Sequence, residues 1–422
     1  MAYEYYKLDN GVQVVLVPMP GVQSTAIGVY IQTGSRFETT KINGISHFLE
    51  HMVFKGTKNY PTTRDTSSLE GLGAIQNAWT DVDATSYWCK IPSDNWEKGL
   101  DLVKDLALYP TIPEKELEIE RGVILEEINR YEDRPDERVG DVLMELMYKP
   151  NPLGMRILGE ASVIKALTQA DFLDYHKSHY QPEKMVVVLA GKLDSQMTKT
   201  KIEEHFAALP KGPSPEFEAY TEQQNEAKVM VYPKDTAEQV HIELAVRALK
   251  STDPRRYALN ILNSILGAGL SSRLFIEVRE KKGLCYSISS DSARFRDTGL
   301  WSVHAGLNIS RLEEALATIL AEMRRIKDEL VPATELEEAK RKLRGHLIFA
   351  QENPINQMEY YAHQLLSKDE IIDYDILIDS LMGVTAEQVR QVAQDLFVES
   401  KLNLAVVGPA QDSDKLLKLL KI

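Results

Sequence analysis

From residue 45 to residue 52, apolar side chains fall at Ile45, Phe48, Leu49 and Met52. That is the i, i+3, i+4, i+7 spacing of a helix with one face in a core. Further helices are predicted over 94–108, 114–132 and 168–179, the second opened by Pro113 near its first turn. Strands are predicted over 12–17, where Val12, Val14 and Leu16 alternate, and over 25–33, 85–91 and 185–190, the last a continuous apolar run ending at Gly191. Asn10-Gly11 and Pro20-Gly21 mark turns, and Gly71-Leu72-Gly73 marks a bend.

This pattern repeats within the chain. Residues 168–191 and 385–408 have equal length, and their helix and apolar strand correspond: Phe172 with Val389, Tyr175 with Val392, Tyr180 with Phe397, and Val186-Val187-Val188 with Asn403-Leu404-Ala405. Residues 112–135 match 331–354 without a gap, carrying Glu116-Leu117-Glu118 onto Glu335-Leu336-Glu337. The shifts, 217 and 219 residues, are about half of the 422-residue chain. A repeat that long is a duplicated domain rather than a solenoid, whose periods run roughly 20–50 residues. The boundary is expected near Leu209-Pro210-Lys211-Gly212-Pro213-Ser214-Pro215, which assigns 1–210 to a first domain, 211–222 to a linker and 223–422 to a second. The fold class expected is α+β: two homologous α/β domains, each an antiparallel-rich sheet packed with helices.

The first predicted helix carries chemistry on the face beside its apolar stripe. His47 and His51 are four residues apart and lie one above the other, with Glu50 between them in a His-x-x-Glu-His pattern. Two imidazoles so placed can reach one zinc ion, and the carboxylate can take a proton from its water. The corresponding segment of the second half, 258–267, has neither His nor Glu, so that half is expected to keep the fold without the metal. A third ligand is sought among the carboxylates of 114–132. Glu120 and Glu127 are seven apart and share a face within a run, Gly122-Val123-Ile124-Leu125, that reads as buried. A solvated acidic stripe explains the same periodicity, and spacing does not separate the two.

The segment Gly44 to Thr57 resembles the signature of the inverzincin metallopeptidases, the family of pitrilysin, insulin-degrading enzyme and the mitochondrial processing peptidase. The resemblance covers essentially the whole chain. It implies Glu127, in Val123-Ile124-Leu125-Glu126-Glu127-Ile128, as third ligand to a single zinc ion beside His47 and His51. It also implies Glu50 as general base and Glu120 as a supporting carboxylate, with Glu126 on the wrong side of the helix. The segment Ser271 to Ser287 is similar to the family stretch holding an Arg and a Tyr seven apart, here Arg279 and Tyr286, which would bind substrate and support the oxyanion. Gly283 would end the helix bearing Arg279, and Tyr286 would sit in a strand over 284–290. Gln76-Asn77-Ala78-Trp79-Thr80 resembles the family's edge strand, so Asn77, Ala78 and Trp79 are expected to bind substrate by β-augmentation. Two domains facing each other around a chamber, and a homodimer, are further implications. So is the rival: relatives include non-catalytic structural subunits and chains that need a partner.

Composition narrows the setting. With 43% hydrophobic and 27% charged residues and no apolar run of about 18 residues, the chain reads as globular and without a membrane span. The net charge of −14 argues against a nucleic-acid surface. No export signal is visible at the start, which makes the cytoplasm the expected location. Cys89 and Cys285 are too few for a disulfide framework and are expected to be buried thiols. His176 and His179 are expected to be structural or surface residues.

Overall fold

The structure is a computed structural model that describes residues 3–409 and 411–422. It contains two mixed sheets. The first is built from β1 (Glu4–Lys7), β2 (Gln13–Pro18), β3 (Ser24–Ile31), β4 (Ile75–Thr80), β5 (Thr85–Pro92) and β6 (Met185–Gly191), in the order β1-β2-β6-β3-β5-β4. The second is built from β7 (Lys228–Pro233), β8 (Val240–Arg247), β9 (Cys285–Arg294), β10 (Gly299–Leu307) and β11 (Asn403–Gly408), in the order β7-β11-β8-β10-β9. Each has one parallel pair, β2 with β6 and β7 with β11, and is otherwise antiparallel. Without β1, the two orders are the same, so the sequence repeat is a repeat of topology.

The main helices follow the repeat as well. In the first half they are α1 (Ile45–Met52), α2 (Trp96–Leu108), α3 (Glu114–Glu132), α4 (Pro135–Tyr148) and α5 (Gln169–His179). Their counterparts are α6 (Arg256–Leu266), α7 (Leu312–Asp328), α8 (Ala333–Gln351), α9 (Pro354–Lys368) and α10 (Ala386–Leu396). Even the caps are shared. Thr168 and Thr385 each close a capping box, with Asp171 and Gln388 respectively, which satisfies backbone donors that an uncapped helix leaves open.

The compact units do not follow the halves of the sequence. One unit comprises Met1–Ile128, Met155–Glu218 and Ile348–Ile372; the other comprises Asn129–Gly154, Ala219–Leu347 and Asp373–Ile422. The contiguous division at 1–210, 211–222 and 223–422 is therefore corrected at two segments. Helix α4 packs against β8 and β11 in the second unit, and α9 packs against β6, β3 and β2 in the first. In the first unit Met358, Tyr361 and Leu365 of α9 share a core with Tyr30, Val186 and Val188. A Cβ on Gly28 would lie 2.9 Å from Met358 Sδ, so the absent side chain is what lets this helix approach the sheet. An amphipathic helix records that one face is buried, not which of two similar sheets buries it.

Other readings shift locally. Val14, Val15, Leu16 and Val17 are all fully buried, so β2 is covered on both faces and does not alternate. β1, four residues of alternating exposure, was too short and polar for the pattern to register. In α3 Val123 is 46% exposed, and the expected burial of 122–125 holds only in part. Cys89 is buried while Cys285 is half-buried. His179 is buried and His176 Nε2 donates to the Ala107 carbonyl at 2.8 Å, both structural positions within α5.

Candidate metal centre

Helix α1 starts abruptly because Gly44 is in the left-handed region, at φ 95°. The orphan donors of its first turn meet a carboxylate that sequence reading passed over. Glu38 is 3% exposed and accepts from Gly44 N at 2.7 Å, Ser46 N at 2.8 Å and Asn43 Nδ2 at 2.9 Å. Burial pushes its carboxyl up to about 7, although these donors pull it down. Ser46 Oγ and Tyr175 OH are 2.7 Å apart, tying α1 to α5. The only signal in the sequence was an acidic residue seven positions before a helix, which is too common to single out.

With α1 so fixed, His47, His51 and Glu127 of α3 come together. One ligand atom from each lies within 4.8 Å of the others, and among the described residues this is the one group of its kind. Glu127 Oε2 is 3.8 Å from His47 Nε2 and 3.7 Å from His51 Nε2. Two imidazole nitrogens and a carboxylate oxygen are a fitting donor set for zinc with a fourth position left open. Desolvation, and secondarily the neighbouring His51, lowers the His47 pKa to about 3, so its ring is neutral and its lone pair available at neutral pH.

Glu120, 4% exposed, supports this group from about two turns back on the same face of α3. Its Oε1 lies 2.8 Å from His51 Nδ1 and its Oε2 2.7 Å from Lys55 Nζ. Burial raises its carboxyl, but the hydrogen bonds from His51 and Lys55 outweigh that and hold it below the usual range. For His51 burial acts to lower the pKa and the bond to Glu120 to raise it, and the net shift is upward. A carboxylate on Nδ1 orients the ring and leaves Nε2 to face Glu127. His47 has no such support: its Nδ1 is buried without a hydrogen-bond partner. Glu126 is exposed, on the side away from the cluster.

Glu50, half-buried, accepts from Thr80 Oγ1 at 2.7 Å. Burial raises its pKa against that bond, the direction a general base working near neutrality needs. Thr80 ends β4, which is the edge strand of its sheet. On that strand Asn77 is exposed, Ala78 is buried, and the Ala78 N–H donates to Asn77 Oδ1 at 2.9 Å. The Trp79 indole instead turns into the unit: it stacks on His363 at 5.4 Å and donates to Glu359 Oε1 at 3.3 Å. Its side chain is thus engaged with α9.

In the other unit, Arg279 lies in the last turn of a π-helical stretch, Phe275–Glu280, and Tyr286 lies in β9. Gly283, at φ 59°, donates to the Arg279 carbonyl and turns the chain between them. The Arg279 guanidinium lies 4.7 Å from the Phe275 ring centre and 5.5 Å from that of Tyr286. Tyr286 is 77% exposed, which a core tyrosine is not.

Residues 13–161 match the family model of insulinase, peptidase family M16, and residues 166–343 match that of the peptidase M16 inactive domain. The chain is 35% identical over 413 residues to an uncharacterized zinc protease of Bacillus subtilis, covering 96% of this chain and 98% of that one. It is 32% identical over 414 residues to an uncharacterized zinc protease of Streptomyces coelicolor, covering 96% and 89%. Among solved structures, a protease from Helicobacter pylori superposes with a TM-score of 0.90 at 25% identity, covering 97% of this chain and 99% of that one.

Proposed function

The chain belongs to the insulinase family of M16 peptidases, and we propose that it is a zinc endopeptidase that binds peptides or unfolded segments as an added strand on β4. The observation that carries the reading is the cluster of His47, His51 and Glu127 with Glu50 beside it. A structural subunit that had left catalysis behind would have no reason to keep both the donor set and the base. A zinc ion held by these three residues supplies Lewis acidity toward water and the scissile carbonyl.

The chain's own residues do the rest. Glu50 takes a proton from the attacking water at Oε1, while Thr80 holds Oε2, and returns it to the leaving amine. Glu120 holds the His51 ring through Nδ1. The main chain of Asn77, Ala78 and Trp79 pairs with substrate, which requires the Asn77 carboxamide to release the Ala78 N–H. Arg279 and Tyr286 are assigned by family resemblance to substrate binding and the oxyanion; the guanidinium's position 5.5 Å from the Tyr286 ring centre and the exposure of Tyr286 support that role. A homodimer and a cytoplasmic location complete the proposal. No helix among the described residues is long and apolar enough to cross a membrane.

The test is elemental zinc on wild type and Glu50→Gln, with cleavage of a mixed peptide pool in the same samples. One zinc per chain in both, with cleavage only by wild type, is expected. Cleavage by Glu50→Gln would overturn the assignment of the base. Zinc in both and cleavage by neither would favour the reading of a chain awaiting a partner. Gel filtration checks the dimer.

A further inference from the structure

In the second unit, α6 and α8 hold the places that α1 and α3 hold in the first, and between them lies a small cavity rather than a metal cluster. It measures about 80 Å³ and is lined by Ser264 and Ile265 of α6, Ser271 of the following loop, and Glu335, Glu338, Ala339 and Lys342 of α8. By the gapless match of α3 with α8, Ala339 stands where Glu120 stands in the zinc-site half. The cavity is thus bordered by the position that carries Glu120 in the other unit.

Two of its donors have nothing to bind. Lys342 Nζ and Ser264 Oγ are both shut off from solvent and lack any hydrogen-bond partner, and Ser264 as a residue is only 5% exposed. Lys342 reaches across to the loop so closely that a Cβ on Gly269 would lie 2.7 Å from Nζ. Gly269 itself is left-handed at φ 99°, so this contact has room only because the position is glycine.

Glu335 is already balanced. Arg273 grips Glu335 through two bonds, Nε to Oε1 at 2.8 Å and Nη2 to Oε2 at 2.7 Å, and Glu322 of α7 also acts on it electrostatically. Glu338 lies on the exposed rim. Burial alone lowers the Lys342 pKa, with no carboxylate offsetting it. An unpaired ammonium out of water is costly unless an anion accompanies it.

We propose that this cavity binds a small oxyanion, a phosphate or a carboxylate, with Lys342 Nζ and Ser264 Oγ as its buried donors. The size admits one such group and no nucleotide, and a tetrahedral or planar set of oxygens can accept from an ammonium and a hydroxyl together. Nothing in the zinc chemistry requires the site, and its loss is separable from the loss of that chemistry.

The experiment is isothermal titration of the zinc-loaded full chain with inorganic phosphate and, separately, with acetate, at constant ionic strength. Wild type is expected to bind at least one of them saturably. Lys342→Met should weaken that binding at least tenfold, and Ser264→Ala severalfold. The phosphate and acetate arms decide which anion is preferred. Circular dichroism on each variant excludes misfolding, and Ser264→Ala serves alone if Lys342→Met does not fold. No saturable binding of either anion to wild type would overturn the proposal. Binding that persists undiminished in a folded Lys342→Met, as anion attached to zinc would, overturns it too.

Discussion

Helices α1 and α3 present His47, Glu50, His51, Glu120 and Glu127, whereas α6 and α8, in the same places of the same strand order, present Ile261, Ser264, Ile265 and Ala339. Ile261 and Ile265 belong to the second unit's main core, at 0% and 3% exposure. The comparison separates scaffold from chemistry. A sheet with helices on it was kept twice, and in one copy the position of Glu120 gave way to Ala339 and that of Glu127 to an exposed His346. Burying two imidazoles and three carboxylates is costly unless they are paired or hold a cation, so a copy freed from catalysis gains stability by discarding them.

The comparison can be broken most severely at the ligands. His47→Ala or Glu127→Ala should abolish both bound zinc and cleavage, read by elemental analysis and peptide assay; zinc retained in either would mean the donor set is misassigned. Glu50→Gln should keep zinc and lower kcat/KM by roughly 10²–10⁴-fold. Putting a ligand type into the counterpart sharpens the contrast. Ile261→His should cost about 3 kcal/mol in urea unfolding and bind no zinc; a stable, zinc-binding variant would show that the second unit is still a latent metal site.

The cap of α1 predicts a pH effect. The Glu38 carboxyl is raised from its ordinary 4.5 to about 7 in the folded chain. Its protonated form is the one the fold favours, so the associated stability is present below about pH 4.5 and is lost as pH rises through 7. The full span is worth about 3 kcal/mol at most. Glu38→Gln, which cannot ionise, should lack this loss in urea unfolding followed from pH 4.5 to 7.5. Parallel profiles for the two proteins would remove Glu38 as the titrating group. The smallest effect is expected from Glu120→Gln, which should weaken zinc affinity about 10–100-fold, measured by chelator competition.

Much of the site was readable along the chain because its central signal is local. Residues four apart on a helix share a face whatever the fold around them, so His47, Glu50 and His51 could be placed by periodicity. Glu127 was different: spacing admitted it together with Glu120, and only resemblance separated ligand from support. Glu38 escaped notice because its partners, Asn43, Gly44 and Ser46, are chosen by how the loop folds back, which no periodicity encodes. The Trp79 ring was equally undecided along the chain, and α9 takes it.

What the sequence settled is what depends on short range or on repetition: the helix that bears the metal ligands, and the duplication with its loss of ligands in one copy. The tertiary structure decided which pieces fold together. The apolar faces of α4 and α9 are legible, but which sheet each packs on is seen only in the structure, where Gly28 lies under Met358 of α9. The same holds for Lys342, an unremarkable helical lysine by its neighbours in sequence, whose ammonium is stranded only because a left-handed glycine in a distant loop leaves it a place to be buried. Burial and pairing are properties of three-dimensional neighbours, and those are set by packing across the chain rather than along it.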